Sequence, residues 1–182
     1  MKLIVLDRDG VINSDSDEFI RNPDQWEPIP GSLEAIAKLT HAGFLVTVAT
    51  NQSGLARDLF DITTLNAIHE KMYQAVSKVG GHIDAIFYCP HGPDDNCNCR
   101  KPLPGLMLQI AKRFSTSMEG VPAIGDSIRD LQAAEMVGAS PILVRTGKGA
   151  GSEACLADYF DHDIATFDNL ADAVPYVLQS FA

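Results

Sequence analysis

Short apolar runs recur along this chain at intervals that leave room for about one amphipathic helix between them: Leu3–Leu6, Phe44–Ala49, Ile83–Tyr88, Val121–Ile124 and Pro141–Val144. Each is long enough for a strand buried on both faces and too short for a buried helix. Between them, Ser32–His41 puts Leu33, Ile36, Ala37 and Leu39 on one face, with Ser32 as N-cap and Gly43 as the stop. Thr63–Val79, Gly105–Phe114 and Ile128–Val137 carry the same pattern, and Asn169–Leu178 predicts a closing helix. Such alternation predicts βαβ units, a mostly parallel sheet and a three-layer αβα sandwich. With 182 residues the chain fills one such domain, residues 1–182, and leaves little for a second. Two segments, Ser14–Pro30 and Pro90–Pro104, have no period; the first, with Trp26 and three prolines, is expected to pack over the strand ends. Gly147–Gly151 predicts a surface loop without the order of a P-loop.

The polar residues that terminate these runs are more telling than the runs themselves. The first ends in Asp7-Arg8-Asp9-Gly10, at the edge where open α/β sheets place their ligand crevice. Strand alternation lets Asp7 and Asp9 share one site while Arg8 points elsewhere, and Gly10 permits a tight turn with amides facing an anion. Two close carboxylates suit a divalent cation, a nucleophile beside a general acid, or both. The second run ends in Thr50-Asn51-Gln52, hydroxyl and amide groups able to hold phosphate oxygens, with Ser53 and Gly54 starting the next helix. Arg100-Lys101-Pro102 and Gly125-Asp126-Ser127-Ile128-Arg129-Asp130 complete the set. A carboxylate pair, a Thr hydroxyl, a Lys and a further Asp, all at strand ends, can converge on one phosphoryl group.

Cys89, His91, Cys97 and Cys99 offer three thiolates and one imidazole within eleven residues. Their softness and number match a tetrahedral structural Zn²⁺ site, whereas the isolated Cys155 reads as an ordinary thiol. His41, His69, His82 and His162 have no matched partners in sequence and are expected to be exposed or near helix ends. Trp26 is expected to anchor its loop, and Lys148 to face solvent.

Net charge is −10, from 14 Lys and Arg against 24 Asp and Glu, so the overall field opposes non-specific nucleic-acid binding. No run approaches the roughly 18–20 apolar residues of a membrane span. The first strand begins within two residues of Met1, which leaves no room for a signal peptide and predicts a cytoplasmic protein. No heptad seam is present, and a monomer is expected.

On Asp-Arg-Asp-Gly-Val-Ile, Thr-Asn-Gln-Ser-Gly, Cys-Asn-Cys-Arg-Lys-Pro and Val-Arg-Thr-Gly-Lys, the chain resembles the haloacid-dehalogenase (HAD) superfamily phosphatases. Within them it is most similar to the heptose bisphosphate phosphatase branch, related to the histidinol-phosphatase domain. The resemblance runs from Asp7 to about Gly149. It implies a Mg²⁺-dependent phosphatase acting on a sugar bisphosphate, removing the 7-phosphate through an aspartyl-phosphate. Asp7 would be the nucleophile and Asp9 the general acid and then base. Mg²⁺ would be held by Asp7, the Asp9 backbone carbonyl and Asp126, with Asp130 behind them. Thr50 and Lys101 would bind the transferring phosphoryl group, and Asn51 and Arg100 would address the substrate.

No segment is long enough to form a cap domain, so an open site bordered by loops is expected. Histidinol-phosphate hydrolysis is the enzyme alternative. A receiver-like signalling module is the alternative of another class, but a receiver needs an acidic phosphoacceptor after the third strand, where this chain has Cys89.

Overall fold

β1 (Lys2–Leu6) is buried on both faces. Leu3 and Val5 enter one apolar cluster, Ile4 and Leu6 the other, as the two-residue period of a strand requires. In the computed structural model, which describes residues 1–181, β1 stands at the middle of a six-stranded, wholly parallel sheet. The other strands are β2 (Phe44–Asn51), β3 (Ala85–Cys89), β4 (Pro122–Gly125), β5 (Ser140–Val144) and β6 (Ala165–Phe167), in the order β3-β2-β1-β4-β5-β6.

Helices cover both faces. On one, α1 (Ser32–His41), α2 (Ile62–Lys78) and α7 (Leu170–Ser180) bury Ile36, Leu39, Ile68, Met72 and Val174 against Ile4, Leu6, Val46 and Val48. On the other, α3 (Gly105–Phe114) and α4 (Ile128–Glu135) bury Leu106, Ile110 and Ala134 against Leu3 and Val5. Each fully buried aliphatic side chain stabilises by about 1.5–3 kcal/mol. Two short helices, α5 (Gly149–Glu153) and α6 (Leu156–Tyr159), lie between β5 and β6.

The αβα sandwich and five of the strands lie where the apolar runs predict, with ends shifted by one or two residues. Three expectations are corrected. Ser32 is not the cap of α1: Gly31, at φ +84°, precedes the helix, and the Ser32 hydroxyl donates to the Ile12 carbonyl at 2.6 Å. Ser53 and Gly54 lie in turns rather than a helix; α2 starts at Ile62, capped by Asp61, which accepts from the Thr64 N–H at 2.8 Å. The Gly147–Gly151 segment runs into α5 instead of forming only a loop. Trp26 does anchor its segment: it is buried, and Lys71 donates to its carbonyl at 2.9 Å. Among the described residues no helix is long and apolar enough to cross a membrane.

Candidate active site

The strand order reverses between β1 and β4, and the crevice at their C-terminal ends is where such sheets bind ligands. β1 stops at Leu6, and the Asp7 N–H donates to the Ile124 carbonyl of β4 at 2.9 Å. The end of β1 is thereby fixed beside Asp126, just past β4. β2 carries Thr50 and Asn51 in its last two positions, and Lys101 enters from the loop after β3. A single cleft of about 340 Å³ is lined by all of the residues expected from the sequence to serve catalysis, the phosphoryl group and Mg²⁺.

Lys101 is its electrostatic centre. The buried ammonium lies 2.9 Å from Asp7 Oδ1 and 2.6 Å from Asp130 Oδ1, and donates to the Ala49 carbonyl at 2.7 Å. Burial works against this charge, but Asp130 and Asp7 outweigh it and hold its pKa above the ordinary lysine range. Asp130 also accepts from the Ser127 N–H and hydroxyl at 3.0 and 2.7 Å. Burial would raise its carboxyl, yet Lys101 and these donors keep it below the usual range.

Asp7 and Asp126 are not so compensated. Burial first, and then the Asp130 charge, push Asp7 up to about 7 in spite of Lys101. Burial, Asp7 and Asp130 push Asp126 up to about 8. Oxygens of Asp7, Asp126 and Asp130 all lie within 4.8 Å of one another. Hard carboxylate donors crowded together with too little positive charge fit a divalent cation such as Mg²⁺. Asp130 already has its oxygens engaged by Lys101 and Ser127, so Asp7 and Asp126 are the two carboxylates of this group that could take a cation most readily. Gly10 and Gly147, at φ +83° and +58°, make room for Asp126: a Cβ on either would strike its carboxylate. The Gly10 N–H is not free for an anion, because it donates to the Asn13 carbonyl at 2.7 Å.

These two raised carboxyls make stability depend on pH. A carboxyl whose pKa is higher folded than unfolded binds extra protons in the folded state, so stability declines as pH rises between the two values. The metal-free protein should therefore lose melting temperature from about pH 4 to about pH 8 as Asp7 and Asp126 ionise. The loss should be steepest above pH 6.5, because His69, pushed down to about 3 in the fold, works in the opposite direction below its ordinary 6.5. Saturating Mg²⁺ should flatten that slope. Calorimetric melting with and without the ion checks this, and a metal-free curve that rises across the window would contradict it.

Arg8 stays out of the cleft that Asp7 and Asp9 line, but it does not leave Asp9. Its fully buried guanidinium forks onto Asp9, with Nε 3.0 Å from Oδ1 and Nη2 3.0 Å from Oδ2. Asn13 and Gln52 add donors to the same carboxylate at 2.8 and 3.1 Å. The remaining edge of Arg8 meets His69 Nε2 at 3.2 Å. His69 is thus buried and partnered, contrary to its expected exposure; burial and the Arg8 charge push it down to about 3. Because arginine only donates, the neutral imidazole accepts. His41, His82 and His162 are exposed, although His162 pairs with Glu135 at 2.9 Å.

Asn51, expected at the substrate, spends both amide atoms on Lys101: it donates to the Lys101 carbonyl at 3.1 Å and accepts from its N–H at 3.0 Å. Thr50 is buried, and its hydroxyl accepts from Gln52 at 2.9 Å. Arg100 lines the cleft together with Arg57 and Arg129, which sequence patterns do not single out. Arg57 lies in an aperiodic turn, with its guanidinium 5.7 Å from the Phe19 ring centre. Lys148 also lines the cleft; its backbone N–H donates to Asp126 at 2.8 Å, and its ammonium lies 3.3 Å from Asp15. Asp15 and Phe19 belong to the Ser14–Pro30 segment, which forms one wall.

At the end of β3 and in the loop after it, Cys89, His91, Cys97 and Cys99 present their ligand atoms within 4.8 Å of one another. His91 Nδ1 lies 3.5 and 3.3 Å from the Cys89 and Cys99 sulfurs, and the Cys89 and Cys97 sulfurs are 3.9 Å apart. Zn–S bonds of about 2.3 Å give tetrahedral S–S edges of about 3.8 Å; the Cys89–Cys97 pair already has that spacing, and the Cys89 and Cys99 sulfurs, 3.1 Å apart, would have to spread for the cluster to hold Zn²⁺. Burial and the bond to Cys99 push the Cys89 thiol up to about 12, which a coordinated cation would reverse. Cys155 stands apart and exposed.

Two family models match the chain: "Polynucleotide kinase 3 phosphatase" over residues 2–128 and "HAD-hydrolase-like" over residues 98–173. The D-glycero-β-D-manno-heptose-1,7-bisphosphate 7-phosphatase of Bordetella bronchiseptica is 63% identical over 149 residues, covering 82% of this chain and 83% of that one. The enzyme of the same name from Neisseria meningitidis serogroup A is 47% identical over 182 residues, covering 100% of this chain and 97% of its own. A crystal structure of the B. bronchiseptica D,D-heptose 1,7-bisphosphate phosphatase complexed with magnesium and phosphate superposes with a TM-score of 0.94 at 55% identity, covering 98% of this chain and 99% of that one.

Proposed function

The chain belongs to the D-glycero-β-D-manno-heptose-1,7-bisphosphate 7-phosphatase family of HAD-like phosphoric monoester hydrolases, and from that premise we propose that its cleft removes the 7-phosphate through Asp7. The observation that carries the chemistry is the buried Lys101, 2.9 Å from a strand-end carboxylate at the reversal of the sheet. Lys101 and the Arg8 N–H both engage Asp7 Oδ1, which leaves Oδ2 to attack phosphorus. As the Asp7–phosphorus bond forms, the bond from phosphorus to O7 of the sugar breaks and Asp9 gives its proton to O7. Water then attacks the aspartyl-phosphate, Asp9 takes its proton, and the Asp7 carboxylate returns as phosphate leaves. Lys101 and the Thr50 hydroxyl meet the charge that develops on the phosphoryl oxygens. Mg²⁺, held by Asp7, Asp126 and the Asp9 carbonyl, supplies the charge that offsets repulsion between a carboxylate nucleophile and a phosphate dianion.

Arg100, with Arg57 and Arg129 beside it, provides cations for the phosphate that is not cut. Histidinol phosphate would bring a cationic amine to that rim. Hydrolysis followed by ³¹P NMR should show the 7-phosphate released and the anomeric phosphate kept, with kcat/KM far above that for histidinol phosphate. Release of the anomeric phosphate, or equal rates on the two substrates, would overturn the substrate assignment. As part of the same proposal the chain acts as a single-domain cytoplasmic monomer, and its mass by light scattering tests the last point.

The Zn²⁺ loop is tied to catalysis by adjacency: Arg100 and Lys101 follow Cys99 directly. Chelation of Zn²⁺, or Cys97→Ser, is expected to lower kcat even at saturating Mg²⁺, by about 10- to 10²-fold for a displacement near 1 Å. Zn²⁺-free protein, verified by metal analysis, with unchanged kinetics would contradict this link.

A further inference from the structure

An arginine with 0% exposure is an expensive way to fill space, since its charge must be taken from water and answered inside. Arg8 is answered on two edges. One forks onto the Asp9 carboxylate; the other meets His69, 61 residues further along the chain. His69 sits on α2, which Leu65, Ile68, Met72 and Val76 fix in the core. The Asp9 carboxylate is partly open to the cleft and belongs to a turn outside the sheet. Its other side-chain partners are Asn13, bridged to Asp9 and Pro28 in the same loop, and Gln52, which directly follows β2 and whose N–H donates to the Cys89 carbonyl at 2.8 Å. Gln52 thus ties Asp9 to the end of the sheet, and the path through Arg8 ties it to a helix, α2.

We propose that Arg8 and His69 act as a positioning pair for Asp9, with the buried imidazole orienting the guanidinium and the guanidinium orienting the carboxylate that exchanges a proton with O7 and then with water. The inference rests on Asp9 being the acid and base of the proposed reaction. The neutral state of His69, held down at about 3, suits it as an acceptor for a buried cation, and the planar fork of arginine is what fixes a carboxylate in one orientation.

A fault in proton delivery has a signature that general damage lacks. It slows loss of an alkoxide, which leaves only with a proton, far more than loss of p-nitrophenolate, which needs none. His69→Leu and Arg8→Lys should therefore lower kcat/KM on the heptose bisphosphate by about 10- to 10²-fold while changing that on p-nitrophenyl phosphate by less than about threefold. His69→Gln, whose amide oxygen can accept from Arg8 in place of Nε2, should recover most of the loss. Arg8→Lys keeps the buried charge and so provides a second test if His69→Leu does not fold.

Asp9→Asn in the same assays separates the two levels. If it leaves heptose bisphosphate hydrolysis near normal, the acid–base role itself fails. If it falls by about 10²- to 10⁴-fold while both other variants match the unaltered protein, or lose activity equally on both substrates, the positioning role is overturned and the acid–base role stands.

Discussion

Asp7→Asn should abolish phosphatase activity, with a loss on the order of 10⁶-fold, the scale seen when a nucleophile is removed from a group that acts as a unit. An amide of the same shape still fits, and the site should tolerate it. Burial and Asp130 already drive Asp7 toward its neutral form near pH 7, so a neutral side chain relieves repulsion rather than creating it. Lys101 keeps Asp130 as its partner at 2.6 Å. The metal-free variant is therefore expected to melt no lower than the unaltered protein. Steady-state assays and calorimetry check the pair of outcomes, with mass spectrometry to exclude deamidation back to aspartate. Residual activity near the normal rate would rule out attack by this carboxylate.

Lys101→Met should damage both chemistry and stability, which sets it apart from Asp7→Asn. Loss of a single donor to developing phosphoryl charge costs about 10²- to 10³-fold in kcat. Removing one member of a buried ion pair costs about 3–5 kcal/mol, because the partners stay behind uncompensated. Here two carboxylates lose their shared cation, and the Ala49 carbonyl loses its donor. The melting temperature should fall sharply, more at pH 8 than at pH 5, where Asp7 and Asp126 retain their protons. A variant with normal stability and only a weaker KM would mean that Lys101 is a rim contact and not the centre of the site.

The contrast between these substitutions shows what can be read from the chain in advance. The core strands are legible because β1, β2, β4 and β5 are buried and write their burial as continuous apolar runs. β6 is not: its three half-buried residues, Ala165–Phe167, form no run at the sheet edge. The five- and four-residue helices α5 and α6 are too short to show a period. The Cys89, His91, Cys97 and Cys99 cluster is readable because its members are local, and the polar residues of the cleft because each lies at or just past a strand end or beside that cluster.

The contacts that fix those groups are hidden for the opposite reason. Arg8 to His69, Asp9 to Gln52 and Asn51 to Lys101 join residues 61, 43 and 50 positions apart, and no periodicity brings them together. Strand alternation keeps Arg8 out of the cleft but cannot show that it folds back onto Asp9, because β1 ends at Leu6. Beyond that point the chain turns, and the two-residue period no longer says which way a side chain faces. Gly10 and Gly147 can be recognised as turn formers, but their close approach to Asp126 emerges only once β5 is laid beside β4.

Covalent transfer to Asp7 is tested most directly by the stereochemical course at phosphorus. A substrate whose 7-thiophosphoryl group is made chiral with oxygen isotopes, hydrolysed in isotopically distinct water, should give thiophosphate with retained configuration, because two in-line displacements, first by Asp7 and then by water, each invert the centre. Inversion would mean that water attacks the substrate directly and that Asp7 never carries the phosphoryl group.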